Sequence, residues 1–296
     1  MISQKKITKT RMQPVPYQTS SLYNFIASEW YKLIRSRFFH VCILVNAGIA
    51  ALLDISVKIS GDAYATLAER LNGTERTNAT VAGIIEMVRF SEEGNPVWAA
   101  AYSFGSFGLI IGAIFVILFL NMEYKKGTML ILIGRGYSRT KLVLAKIIAA
   151  ILGLGVIQVI TAAAAFLTGI FIWGFPAGTI SMIPDMLLAF GCNMVLCVGS
   201  LAPAFVLAVL LQNSGEAIGI YVVGDFLLQN AANIGADYHL ISDEAISVLF
   251  ISGKMAGMSN ILDLSPIPWM QMGISVCYLV IAVLICCYLI RKKDLN

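Results

Sequence analysis

Tyr221, Asp225, Gln229 and Asn233 recur at every fourth position, so on a helix they form one polar stripe with a carboxyl group near its middle. Their neighbours are apolar. An ionisable group at that depth is expensive in lipid unless it faces other helices or water, which makes Asp225 a functional candidate by default. Interhelical hydrogen bonding that merely holds a bundle together explains the stripe equally well. Asn46, Ala50, Asp54 and Lys58 repeat the spacing, with Asp54 and Lys58 placed to pair near one end of their run, and here the purely structural role is favoured. Gln158 and Asn193 are polar residues in other apolar runs, with no pattern behind them.

Other constellations fail on chemistry. Neither G-x-x-x-x-G-K-[ST] nor G-x-G-x-x-G occurs, and Gly253-Lys254 is followed by Met255 where a phosphate loop needs a hydroxyl. The chain is therefore expected to bind no nucleotide and to hydrolyse no ATP by itself. His40 and His239 are the only histidines and no H-E-x-x-H is present, which leaves little to build a zinc hydrolase. Glu92-Glu93 is a carboxylate pair beside Gly94-Asn95-Pro96, the setting of a solvated loop end. Gly105-Ser106-Phe107-Gly108 has no histidine at comparable depth to activate the serine, and Gly108 with Gly112 reads better as a small-x-x-x-small packing pair. The cysteines Cys42, Cys192, Cys197, Cys277, Cys286 and Cys287 all lie in apolar runs and read as small packing residues, with no C-x-x-C among them.

The elements that carry these residues follow from composition. The chain is 58% hydrophobic and 13% charged, with a mean hydropathy of +0.80, a profile that suits lipid as solvent. Six apolar runs, 38–57, 97–120, 142–173, 186–211, 217–234 and 269–290, are long enough to cross a hydrocarbon core of about 30 Å as helices. Continuous runs satisfy their backbone internally as helices rather than as barrel strands, so the expected fold is an all-α transmembrane bundle over 38–290. The polar segment before the first run is too long for a signal-peptide n-region, so that run is expected to stay in the mature chain.

Sixteen of the 21 Lys and Arg fall in 1–37, 121–146 and 291–296, against five in 58–96 and 235–268. Positive charge near span ends stays on the cytoplasmic side, so both termini and the 121–146 segment are expected inside, and 58–96 and 235–268 become outer loops. The net charge of +4 is a topological signal and calls for no nucleic acid. Residues 1–20 read as a flexible lead-in. Residues 21–37 place Leu22, Phe25, Ile26, Trp30, Leu33 and Ile34 on one helical face and Asn24, Ser28, Lys32 and Arg35 on another, ending at Arg37. That is the pattern of a helix lying in the inner interface, with Ser20 or Ser21 at its cap. The NGT and NAT sequences at Asn72 and Asn78 match glycosylation acceptors, a motif frequent by chance.

The segment 121–141 contains Glu123-Tyr124-Lys125-Lys126-Gly127-Thr128, then Met129 and the apolar Leu130 to Ile133, then Arg135 and Ser138-Arg139-Thr140-Lys141, with Ala145-Lys146 beyond. A short helix over Thr128 to Ile133 presents Met129, Leu130, Leu132 and Ile133, while Gly127, Gly134 and Gly136 permit sharp entry and exit and Ser138 suits the cap of the next helix. This stretch resembles the one after the second span in type-2 ATP-binding-cassette (ABC) exporter permeases, where a charged residue, a Gly-Thr, a short apolar helix and a Ser-Arg-x-x-x-x-x-x-Lys ending recur. Glu29-Trp30-Tyr31-Lys32-Leu33-Ile34-Arg35-Ser36-Arg37 is similar to that family's interfacial connecting helix, and Gln212-Asn213-Ser214-Gly215-Glu216-Ala217 to its tight inner turn before span five. The resemblance covers the chain from about Ser21 onward.

The resemblance implies a permease subunit with 121–141 as a coupling helix that docks on a separate ABC ATPase. Two copies of that ATPase would hold the ATP and magnesium, beside a second permease chain, the same or a paralogue, in a bacterial cell membrane. Asn46, Tyr221, Asp225 and Gln229 would then line or gate the path near the permease dimer interface, and the cargo would be an amphipathic or hydrophobic peptide, peptide antibiotic, drug or lipid moved outward. Against it stand an ion-gradient-driven secondary transporter, for which no internal inverted repeat is evident, and an intramembrane enzyme, which needs a convergent acid, base or nucleophile.

Overall fold

The computed structural model describes residues 22–71, 96–102, 106–125, 131–132, 134, 137–176, 179–237 and 269–292. All the regular structure among them is helical: α1 (Leu22–Ile34), α2 (Arg37–Leu71), α3 (Pro96–Tyr102), α4 (Ser106–Lys125), α5 (Arg139–Trp173), α6 (Thr179–Ser200), α7 (Ala202–Leu211), α8 (Ser214–Asp237) and α9 (Trp269–Lys292). Among the described residues, four stretches are long and apolar enough to cross a membrane: Arg37–Ser60, Arg139–Trp173, Thr179–Leu211 and Trp269–Lys292. Gly108–Met122 is apolar but shorter.

The bundle is organised around α5. Its 35 residues reach about 52 Å at 1.5 Å per residue, well beyond the hydrocarbon thickness. Its sequence is rich in Ala and Gly, and small residues let neighbouring backbones close in where lipid offers no hydrophobic force between helices. At Gly153 a Cβ would sit 2.8 Å from both Leu33 Cδ2 of α1 and Phe115 Cζ of α4. At Gly169 it would sit 2.8 Å from Pro96 Cα of α3. One helix thus receives α1 along its first half and α3 near its far end, with α2 packed alongside.

On α2 the buried residues Phe39, Cys42, Asn46, Ala50 and Asp54 fall three or four apart, while Val41, Leu44, Val45, Leu52 and Leu53 are exposed. The polar stripe read from spacing is therefore the face turned toward the bundle. Phe115 of α4, fully buried, ties in the start of α2 through ring contacts at 6.1 Å to Phe38 and 5.7 Å to Phe39.

Two elements depart from the runs expected from hydropathy. Helix α2 continues past Val57 to Leu71, so the expected outer loop 58–96 begins as helix; Ala, Leu and Glu in that stretch favour helix without being apolar enough to extend the span. The run 186–211 starts earlier, at Thr179, and is jointed: Pro203 lacks an N–H, α6 ends at Ser200, and Leu201 O takes the Ala204 and Phe205 N–H groups at 3.0 and 3.3 Å across the joint.

The joint is packed tightly. Leu201 is fully buried, and a Cβ on Gly112 would meet its Cδ1 at 3.1 Å, consistent with the packing role read for Gly112. Helix α9 closes on α6 at Gly199, where a Cβ would fall 2.6 Å from Ser275 Cα. Ser275 Oγ donates to Val195 O at 2.5 Å and fixes that approach. The six cysteines are free thiols, with Cys42, Cys192, Cys197 and Cys286 buried.

Candidate functional site

Three places gather chemistry, and the start of α5 is the first. Moving along α1, Phe25 meets the Tyr137 ring edge-on at 5.2 Å, Glu29 meets Lys146, and Leu33 meets Gly153. Each step along α1 matches a step along α5, so the two run in the same direction and α1 is a strut of the bundle. Its apolar face is Phe25, Trp30 and Leu33 as expected, with Leu33 fully buried, whereas Ile34 is 46% exposed. On the opposite face Arg35 Nη1 donates to Tyr31 Oη at 2.6 Å, and Arg37 is exposed at the start of α2.

Glu29 sits in the middle of this contact and is only 5% exposed. Lys32 Nζ lies 2.7 Å from Glu29 Oε1, and Lys146 Nζ lies 3.4 Å from Oε2 and 5.2 Å from the centroid of the Phe119 ring. Carboxylate, ammonium and ring thus join α1, α5 and α4. Sequence reasoning passed over both charges: Glu29 looked like part of an interfacial helix surface and Lys146 like one more inner-side cation. The signals were present, because Glu29 lies one turn from both Phe25 and Leu33 on the apolar stripe, and Lys146 is the cation embedded in LVLAKIIAAIL.

Of the segment 121–141, Leu132 and Tyr137 pack against the buried core, while Ile131 is 57% exposed. Tyr137 N donates back to Leu132 O at 3.4 Å. Ser138 stands at the N-cap of α5 in extended conformation, but its side chain makes no capping bond, which corrects that expectation. Its carbonyl instead takes the Leu142 N–H at 3.2 Å. Thr140 Oγ1 accepts from Arg291 Nε at 3.3 Å, bringing in the end of α9. Lys126, Gly127, Thr128, Met129, Leu130, Ile133 and Arg135, like Ser20 and Ser21, lie outside the described residues, as do the side chains of Glu123 and Lys125.

A tight turn joins α7 and α8. Gln212 takes the left-handed conformation at φ 54 and donates its N–H to Ala208 O, while Asn213 Oδ1 accepts from Gly215 N at 3.2 Å and its Nδ2 donates to Glu216 Oε1 at 2.7 Å. Asn213 supplies a side-chain turn that lets only two residues, Gln212 and Asn213, separate α7 from α8.

The second is a set of buried polar groups distributed through the bundle. Asn46 Nδ2 donates to Thr161 Oγ1 at 2.9 Å, and Thr161 donates to Ile157 O at 2.8 Å. Asp54 Oδ2, Gln158 Oε1 and Asn193 Oδ1 are buried without a hydrogen-bond partner. Asn121 on α4 is fully buried with both amide atoms unpartnered.

The third is a groove between α4 and α8 of about 400 Å³, lined by Leu109, Ile110, Tyr221, Val222, Val223, Asp225, Phe226 and Leu227. Tyr221 is buried and its hydroxyl donates to Ser200 O at 3.4 Å, which aligns α8 with the end of α6. Asp225 is half-buried in the groove wall. The side chains of Gln229 and Asn233 lie outside those described. Two of the residues expected to share a pathway therefore meet here, while Asn46 faces α5 through Thr161 and neither it nor Asp54 is among the described lining.

No curated protein matches the chain. The family model described as "Protein of unknown function (DUF2705)" matches residues 86–295, α3 through α9 and well over half of the length. The chain belongs to the DUF2705 family.

Proposed function

We propose that this chain is the six-span permease subunit of an ABC exporter, set in a cell membrane with both termini inside and moving an amphipathic or hydrophobic cargo outward. ATP hydrolysis occurs on a separate ATPase that grips the segment between α4 and α5. The observation that carries this reading is the way that segment is built into the bundle. Leu132 and Tyr137 enter the core, Phe25 of α1 packs on Tyr137, and Glu29 of α1 is ion-paired to Lys146 of α5. A push on the segment is delivered to α1 and α5 together, and through α5 to the helices that pack along it. An ordinary positive-inside loop needs no such attachment. The exposed Ile131 supplies an apolar contact for the partner, and the surrounding Lys and Arg supply charge complementarity.

Affinity purification of the full chain from native membranes tests this. A protein bearing a Walker motif is expected to co-elute, and deletion of Gly127–Gly134 is expected to release it while the shortened chain stays in the membrane. Retained binding after the deletion contradicts the docking role.

A further inference from the structure

Two helices of transmembrane length bring basic residues together at one corner of the bundle. Arg291, in the last turn of α9, donates from Nε to Thr140 Oγ1 in the first turn of α5 at 3.3 Å. Lys141 and Lys292 are the next residues on the two helices, and both are exposed, as is Arg291. Among the described residues no carboxylate pairs with Lys141, Arg291 or Lys292, whereas Lys32 and Lys146 share Glu29. Arg291 spends only its Nε on Thr140, and the Thr140 hydroxyl, having accepted that bond, keeps a proton to donate. Along α9 from these charges, Ile281, Leu284 and Tyr288 are exposed, and with Lys292 they fall three or four residues apart on one stripe. Lys292 Nζ lies 6.0 Å from the centroid of the Tyr288 ring. From Ile281 to Lys292 the helix rises about 16 Å at 1.5 Å per residue, about half of a hydrocarbon core of about 30 Å.

We infer that this corner binds an anionic phospholipid, its headgroup phosphate held by Arg291, Lys292, Lys141 and the Thr140 hydroxyl and one acyl chain lying along Ile281, Leu284 and Tyr288. The inference rests on α5 and α9 spanning the bilayer and not on the exporter reading. A guanidinium fork matches a phosphate in shape as well as charge, and two lysines add point charges beside it. A zwitterionic lipid offers the same phosphate but carries its own cation toward three unanswered positive charges. An acidic soluble protein answers the charges but cannot reach the stripe beneath them, which faces hydrocarbon once α9 crosses the membrane. The length of that stripe, one leaflet deep, is what favours a lipid.

The test compares two lipids with the same tails. The purified, delipidated full chain in non-ionic detergent is titrated with short-chain phosphatidylglycerol or phosphatidylcholine, and bound lipid is counted by native mass spectrometry. Phosphatidylglycerol is expected to bind more tightly by about tenfold or more, with affinity falling as salt rises. Arg291→Gln and Lys292→Gln are each expected to weaken it about fivefold, which corresponds to about 1 kcal/mol for one cation at an anionic surface. Arg291→Lys, which keeps the charge, is expected to retain most of the affinity. Equal binding of the two lipids by the native chain overturns the inference, as does unchanged phosphatidylglycerol affinity in the double variant Arg291→Gln with Lys292→Gln. Displacement of the lipid by millimolar inorganic phosphate also overturns it, because the site is then one for a free anion. A double variant that keeps its lipid affinity but loses a co-purifying Walker-motif protein assigns these cations to the ATPase instead. No ATPase is needed for the titration, so its failure leaves the exporter reading standing, and the deletion of Gly127–Gly134 decides that reading without it.

Discussion

Replacing Glu29 by Gln removes one partner of a buried ion pair and leaves the other in place. The side chains of Glu29 and Lys146 are 7% and 4% exposed and their charged atoms lie 3.4 Å apart. At an effective dielectric of about 20 the attraction is about 5 kcal/mol, offset in part by the desolvation of both groups. What the mutation exposes is that offset. Lys146 keeps its burial and the Phe119 ring, worth about 1–2 kcal/mol, and loses the carboxylate, so the expected destabilisation is about 3–5 kcal/mol. Lys32 lies closer to Glu29, at 2.7 Å, yet its side chain is 42% exposed, so Lys32→Ala is expected to cost under about 1 kcal/mol. The double replacement Glu29→Leu with Lys146→Leu, which removes both charges, is expected to recover most of the loss. Reversible unfolding of the full chain in mixed micelles, followed by fluorescence, measures all three. If Glu29→Gln costs no more than Lys32→Ala, α1 is not held by this pair and the strut argument fails.

Gly199→Ala forces a Cβ toward the Ser275 backbone and is expected to destabilise the chain by about 1–3 kcal/mol, whereas Gly191→Ala, with open space around it, is expected to be neutral in the same thermal unfolding assay. Thr161→Val removes the partner of Asn46 Nδ2 and is expected to cost about 0.6–1.7 kcal/mol, the range found for interhelical hydrogen bonds in membranes, read by the same unfolding titration. Asn121→Leu deletes an amide with both polar atoms buried and unpartnered, so it is expected to raise stability by about 1–3 kcal/mol; a fall instead would reveal a partner for that amide.

Much of this was legible because lipid imposes simple rules on sequence. The α2 stripe came straight from a four-residue period, since a polar group there must turn inward, and Asn46 does so onto Thr161. The α7–α8 turn was legible because Gln212-Asn213-Ser214-Gly215 offers both a residue that tolerates positive φ and a side-chain turn. Helix ends were less so. Apolarity marks where lipid contact stops, while helix geometry stops only where backbone bonding does, and α2 runs on to Leu71 for that reason. The joint at Leu201 was hidden within a continuous apolar run, although Pro203 signals it. Glu29 and Lys146 were misread because a charge in sequence looks solvated until its partner, more than a hundred residues away, is brought beside it. The groove was beyond reach for the same reason: period four places Tyr221 and Asp225 on one face of α8, but only packing decides that Leu109 of α4 stands opposite.

The central claim is that an ATPase grips the segment between α4 and α5, where Ile131 is an exposed apolar residue among those described. A photoreactive amino acid at Ile131, activated in intact native membranes, is expected to join this chain to a Walker-motif protein, while the same probe at the exposed Phe171 near the other end of α5 is expected to find no such protein. Labelling of position 131 from outside sealed cells, or adducts from Ile131 that contain no nucleotide-binding protein, contradicts it.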